Sequence, residues 1–96
     1  MRRADVVARI QAHKHELRRF NVKGLSLFGS VARDEAGADS DVDVVAEFDG
    51  PRGLREYMGL VFFLEELLGV HVDVITQHGN PPRLQERVDR DAYRVA

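Results

Sequence analysis

The chain has 96 residues, which suits one small domain with a single core, so residues 1–96 are read as one unit. Its composition is that of a globular protein, and a formal net charge of -2 argues against generic nucleic-acid binding, which needs a basic surface to neutralise phosphates. The lack of cysteine excludes a disulfide framework and a thiolate zinc site. No apolar stretch is long enough to span a bilayer, and Met1-Arg-Arg-Ala-Asp5 lacks the apolar segment of a signal peptide, so the expected location is cytoplasmic, with no membrane partner.

From about Asp5 to Arg19, Val6, Val7, Ile10, Leu17 and Phe20 recur at helical spacing between charged residues, which predicts a surface helix covering a sheet. Asn21-Val22-Lys23-Gly24 supplies turn residues, and a first strand follows over Leu25 to Phe28. Gly29-Ser30 falls where that strand hands over to a short helix. A glycine there lets the backbone approach a ligand, a serine can cap the helix, and the free N–H groups of a first turn favour an anion such as phosphate. Taken alone, Gly-Ser is an ordinary turn.

The segment from Ala32 to Ser40 is short and polar. Asp34, Glu35 and Asp39 are expected to be solvated, and Arg33 is expected to pair with a carboxylate of the site rather than to meet phosphate. Val42, Val44, Ala46 and Phe48 then form an alternating apolar row, which sets the register of a second strand and turns Asp41 and Asp43 to the other face. Two carboxylates side by side repel unless a cation sits between them. A phosphate-binding turn followed by a carboxylate pair describes a site for a metal-bound nucleoside triphosphate.

Asp49-Gly50-Pro51-Arg52-Gly53 breaks the chain, and 54–68 reads as the longest helix. Leu54, Met58, Val61, Phe62 and Leu68 form a stripe sufficient for the core. Leu60, Phe63, Leu64 and Leu67 carry apolar surface further round, so the helix is either deeply buried or shares a face with a partner, homo- or hetero-oligomeric. Gly69 ends this helix. A third strand over Val70 to Ile75 turns its valines inward and Asp73 to the face of Asp41 and Asp43, making Asp73 the natural third carboxylate; an aspartate in a central strand is costly unless paired or liganded. Pro82 suits the first position of a last helix running from Arg83 to about Asp91, charge-laced and solvated. His13, His15, His71 and His78 are read as structural or surface residues.

Leu27-Phe-Gly-Ser-Val-Ala-Arg33, Ser40-Asp-Val-Asp43, Leu64-Glu-Glu-Leu-Leu-Gly69 and Val72-Asp-Val-Ile-Thr76 together resemble the minimal nucleotidyltransferases of the DNA polymerase beta superfamily, which commonly serve as the antitoxin half of HEPN/MNT toxin-antitoxin pairs. The resemblance covers nearly the whole chain. It implies a single-domain α+β nucleotidyltransferase fold, a small mixed sheet with helices packed on one face and the carboxylate site on the other. It also implies that Asp41, Asp43 and Asp73 are catalytic and hold two Mg²⁺ ions, that Gly29 and Ser30 hold the triphosphate of ATP, and that Asp73 helps deprotonate the acceptor hydroxyl. One departure is Asp34, where many relatives have a small residue; a carboxylate there either repels the triphosphate or faces solvent.

The expected activity is transfer of AMP from ATP to a hydroxyl, a tyrosine, of a cognate HEPN-type RNase toxin, which is thereby neutralised. Two alternatives stand beside it. One is an antitoxin that occludes its partner through the apolar helix with a vestigial site; the other is nucleotidyl transfer to a small molecule.

Overall fold

The structure is a computed structural model that describes residues 2–37, 40–50, 53–77 and 79–96. Asp39, Pro51, Arg52 and His78 lie outside the described residues. The elements in chain order are α1 (Arg3–Ala12), a 3-10 helix (Lys14–Phe20), β1 (Val22–Phe28), α2 (Gly29–Ala32), β2 (Val42–Phe48), α3 (Leu54–Leu68), β3 (Val72–Thr76), α4 (Pro82–Asp91) and β4 (Tyr93–Arg94).

The strands form one mixed sheet in the order β3-β2-β1-β4. β1 pairs antiparallel with both β2 and β4, whereas β2 and β3 run parallel. A parallel pair cannot be closed by a tight turn, and α3 supplies the crossover. Alternation gives the sheet two distinct faces. Leu25 and Leu27 of β1, Val42, Val44 and Ala46 of β2, and Val72 and Val74 of β3 pack into the main core with Val6, Ile10, Leu17, Phe20, Leu60, Leu64 and Leu68. The helices α1, 3-10 and α3 therefore cover one face, and Asp43 and Asp73 belong to the other.

α4 is an addition to that division. Its Val88 is fully buried and, with Leu84, packs on Phe28, Val45 and Ile75 on the carboxylate side of the sheet. The charge-laced helix expected to be solvated thus buries one apolar edge against that face. Its first residue is Pro82, as its fixed φ and missing N–H favour.

The expected single helix over Asp5 to Arg19 is two. α1 stops at Ala12, and residues 14–20 form a 3-10 helix, in which Leu17 and Phe20, three apart, align on the core side. Between Ile10 and Leu17 the sequence offers no large apolar side chain to anchor an α-helical turn.

The phase of α3 also differs from the expected stripe. Leu60 and Leu64 are fully buried and Leu68 nearly so, while Leu54 is 78% and Phe62 61% exposed. Gly59 allows the close approach of Phe20, whose ring would lie 2.7 Å from any Cβ at that position. Phe20 in turn meets Phe63, with ring centroids 5.7 Å apart. The Tyr57 hydroxyl donates to the Val74 carbonyl at 2.8 Å and ties the start of α3 to β3.

β3 lies at the edge of the sheet, not at its centre, so Asp73 is solvent-accessible and pays no burial cost. β4 was not expected from the sequence. It is a two-residue strand on the far edge, extended by Val95 N–H donating to the Leu25 carbonyl at 2.9 Å. No helix among the described residues is long and apolar enough to cross a membrane.

Candidate active site

The site forms where β1 ends and β2 and β3 begin. Phe28 pairs with Asp43, and Asp43 pairs with Asp73 across the parallel β2–β3 ladder, so all three residues share one level of the sheet. Asp41 stands one residue before β2, and His71 one residue before β3, with the Val42 N–H donating to the His71 carbonyl at 3.0 Å.

Gly29 ties the turn to the carboxylates. Its φ is +73°, in the left-handed region, and a Cβ there would sit 2.6 Å from Asp43 Oδ2. Any side chain would be strained by the backbone and would displace the carboxylate. Ser30, half-buried, lies in the first turn of α2, whose N-cap is Phe28, so Ser30 is not itself the cap.

Asp43 is the perturbed acid. Partial burial, then the charges of Asp73 and Asp41, then a hydrogen bond with Asp73 hold its carboxyl above the ordinary aspartate range, and Arg87 of α4 opposes them. Crowded negative charge of this kind is what a bound cation relieves. Atoms of Asp41, His71 and Asp73 lie within 4.8 Å of one another, a spacing that a divalent ion can bridge. Their carboxylate oxygens are the donors that Mg²⁺ prefers, so the residues present fit that ion.

His71, expected to be a bystander, is part of this cluster. Its Nε2 lies 3.0 Å from Asp73 Oδ1 and its Nδ1 3.0 Å from Glu65 Oε2. The hydrogen bond to Asp73, followed by the charges of Asp73, Asp41 and Glu65, raises its pKa above the usual imidazole value. The signal was present in the spacing: His71 and Asp73 are two apart and so share a face. Glu65 comes from another element, and Arg87 from the helix expected to be solvated.

Arg33 pairs with carboxylates, but not with those of the site as expected: its Nη1 donates to Asp91 Oδ2 of α4 at 2.9 Å and its Nε to Glu35 Oε2 at 3.3 Å. These partners raise its already high pKa. Asp34 adopts φ +59° and accepts the Arg3 backbone N–H at 3.0 Å, so its carboxylate is committed to the start of α1 rather than to the Gly29–Ser30 turn. A cleft of about 520 Å³, lined by residues including Leu17, Asn21 and Gly24, sits at the opposite end of β1 from the carboxylates.

The family model of the nucleotidyltransferase domain matches residues 10–94. The chain is 36% identical over 92 residues to the protein adenylyltransferase MntA of Thermococcus cleftensis, covering 95% of this chain and 93% of that protein. A solved structure of a minimal nucleotidyltransferase superposes with a TM-score of 0.81 at 40% identity, covering 96% of this chain and 94% of the other. A chain from the complex of a tri-AMPylated Shewanella oneidensis HEPN toxin with an MNT antitoxin shares the fold alone: 17% identity, a TM-score of 0.64, and 90% and 68% coverage. By sequence along nearly its whole length and by the convergence of Gly29, Asp43 and Asp73 in one place, the chain belongs to the nucleotidyltransferase domain family, among the minimal nucleotidyltransferases.

Proposed function

We propose that the chain is an antitoxin that transfers AMP from ATP to a tyrosine hydroxyl of a cognate HEPN-type toxin and so neutralises its RNase activity. The observation that carries this reading is the contact between the two halves of the motif, the Gly29 turn lying directly against Asp43 Oδ2. The 36% identical relative named a protein adenylyltransferase supports it.

In this reading the backbone of Gly29 and Ser30 binds the triphosphate, and Arg87 adds positive charge from α4. Asp41, Asp43 and Asp73 would hold a divalent cation such as magnesium, which would supply charge neutralisation for an in-line displacement. The acceptor oxygen forms a bond to the α-phosphorus as the bond to the bridging oxygen of the β-phosphate breaks. Pyrophosphate carries that oxygen away, and the hydroxyl proton passes to the Asp73 carboxylate. The work of the protein is positioning and electrostatic stabilisation.

Exposed Leu54 and Phe62 on α3 favour a second reading, neutralisation by occlusion. Co-expression with the toxin separates the two. The Asp41→Asn/Asp43→Asn variant should lose neutralisation while keeping its fold; full neutralisation by that variant would favour occlusion.

A further inference from the structure

The proposed reaction uses three carboxylates and leaves His71 and Glu65 without a task. Because β2 and β3 pair Val42 with Val72 and Asp43 with Asp73, the residues Asp41, Asp43, His71 and Asp73 occupy the corners of a two-by-two tile on one face of the sheet. The imidazole at the fourth corner is held from behind. Glu65, in the last turns of α3, places Oε2 3.0 Å from His71 Nδ1, and the same oxygen accepts the Val72 N–H at 3.1 Å. Nε2 is thereby aimed across the tile, 3.0 Å from Asp73 Oδ1, and Asp41, His71 and Asp73 each bring a ligand atom within 4.8 Å of the other two. A carboxylate fixing one ring nitrogen while the other faces an acidic site is how proteins orient imidazoles that ligate metals.

We propose that His71 supplies an imidazole nitrogen to the divalent-cation site it shares with Asp41 and Asp73, and that this donor makes the site select a first-row transition metal over Mg²⁺. The inference rests on the proposed function only in taking this place to be a cation site. Mg²⁺ is a hard ion that binds oxygen and keeps several waters, so it gains little from a nitrogen ligand. Transition divalents accept mixed nitrogen and oxygen donors, with affinity rising from Mn²⁺ along the series. Mn²⁺ is therefore the most demanding probe, and it is visible by electron paramagnetic resonance.

The full chain is titrated with Mn²⁺ in mildly alkaline buffer, with and without competing Mg²⁺, as wild type, His71→Ala and Glu65→Gln. His71 is exposed, so its removal should spare the fold, and Gln can still accept the Val72 N–H. Wild type should prefer Mn²⁺ and show magnetic coupling to an imidazole nitrogen. His71→Ala should abolish the coupling and weaken Mn²⁺ binding tenfold or more with Mg²⁺ affinity unchanged, and Glu65→Gln should weaken Mn²⁺ about tenfold, the lower end of the usual effect of an orienting partner. Equal Mn²⁺ affinity in wild type and His71→Ala, with no nitrogen coupling, overturns the inference. So does an equal loss of both ions, which would mark His71 as a positioning residue without selectivity. A wild type that transfers AMP but shows no nitrogen coupling with Mn²⁺ bound would overturn it while leaving the proposed function standing.

Discussion

Gly29→Ala tests whether the turn and the carboxylates are one device. At φ +73° an alanine is strained by about 1–2 kcal/mol. Its Cβ would also meet Asp43 Oδ2 at 2.6 Å, and restoring ordinary contact requires that oxygen to withdraw by about 0.8 Å. Gly69 is a matched control, with φ +72° and nothing within 4 Å of a Cβ. Both substitutions should lower the thermal midpoint by roughly 5–15 °C, because a domain of this size loses about 4–8 °C per kcal/mol. Only Gly29→Ala should also reduce AMP transfer, by about 10²-fold, the usual cost of a misplacement of about 1 Å at a reacting centre. Calorimetry paired with a transfer assay measures both. Equal transfer by the two variants at equal stability would refute the coupling of turn and carboxylate.

Asp43→Asn should stabilise the metal-free chain at neutral pH, by roughly 0.2–1 kcal/mol, because it removes a like-charge pair directly across the ladder from Asp73. The sign follows from Asp43's raised pKa: between the unfolded aspartate value and the higher folded one, the native state binds the extra proton, so stability falls as pH rises through that window. The advantage of Asp43→Asn over wild type, followed by thermal melts against pH, should be present above the window and vanish below it. The same variant should lose stabilisation by added divalent ions. On α3, Leu64→Ala should cost about 2–5 kcal/mol in denaturant unfolding, since the side chain is fully buried. Phe62→Ser should change stability by less than about 0.5 kcal/mol yet weaken toxin binding measured by calorimetry.

The parts of the site legible in the sequence were those that depend on local spacing. Asp41, Asp43 and Asp73 each flank or lie in an alternating valine row, and a period of two leaves little choice of face. Gly29 was legible because it ends an apolar run. The phase of α3 was not, because its apolar residues cover more than half of the cylinder. Leu60, Leu64 and Leu68 then compete with Leu54, Met58 and Phe62, and only packing against Phe20 and the sheet decides. The division at His13 and the edge position of β3 likewise depend on tertiary neighbours. His71 carried a local sign in its spacing from Asp73, but what aims it is Glu65, which the crossover brings back from α3.

The most direct measurement is the intact mass of the cognate HEPN-type toxin after incubation with this chain, ATP and Mg²⁺. The account predicts one or more AMP units added to the toxin by wild type and none by Asp41→Asn/Asp43→Asn. A toxin that binds the wild-type chain but gains no mass, or that gains it equally from the double variant, would contradict it.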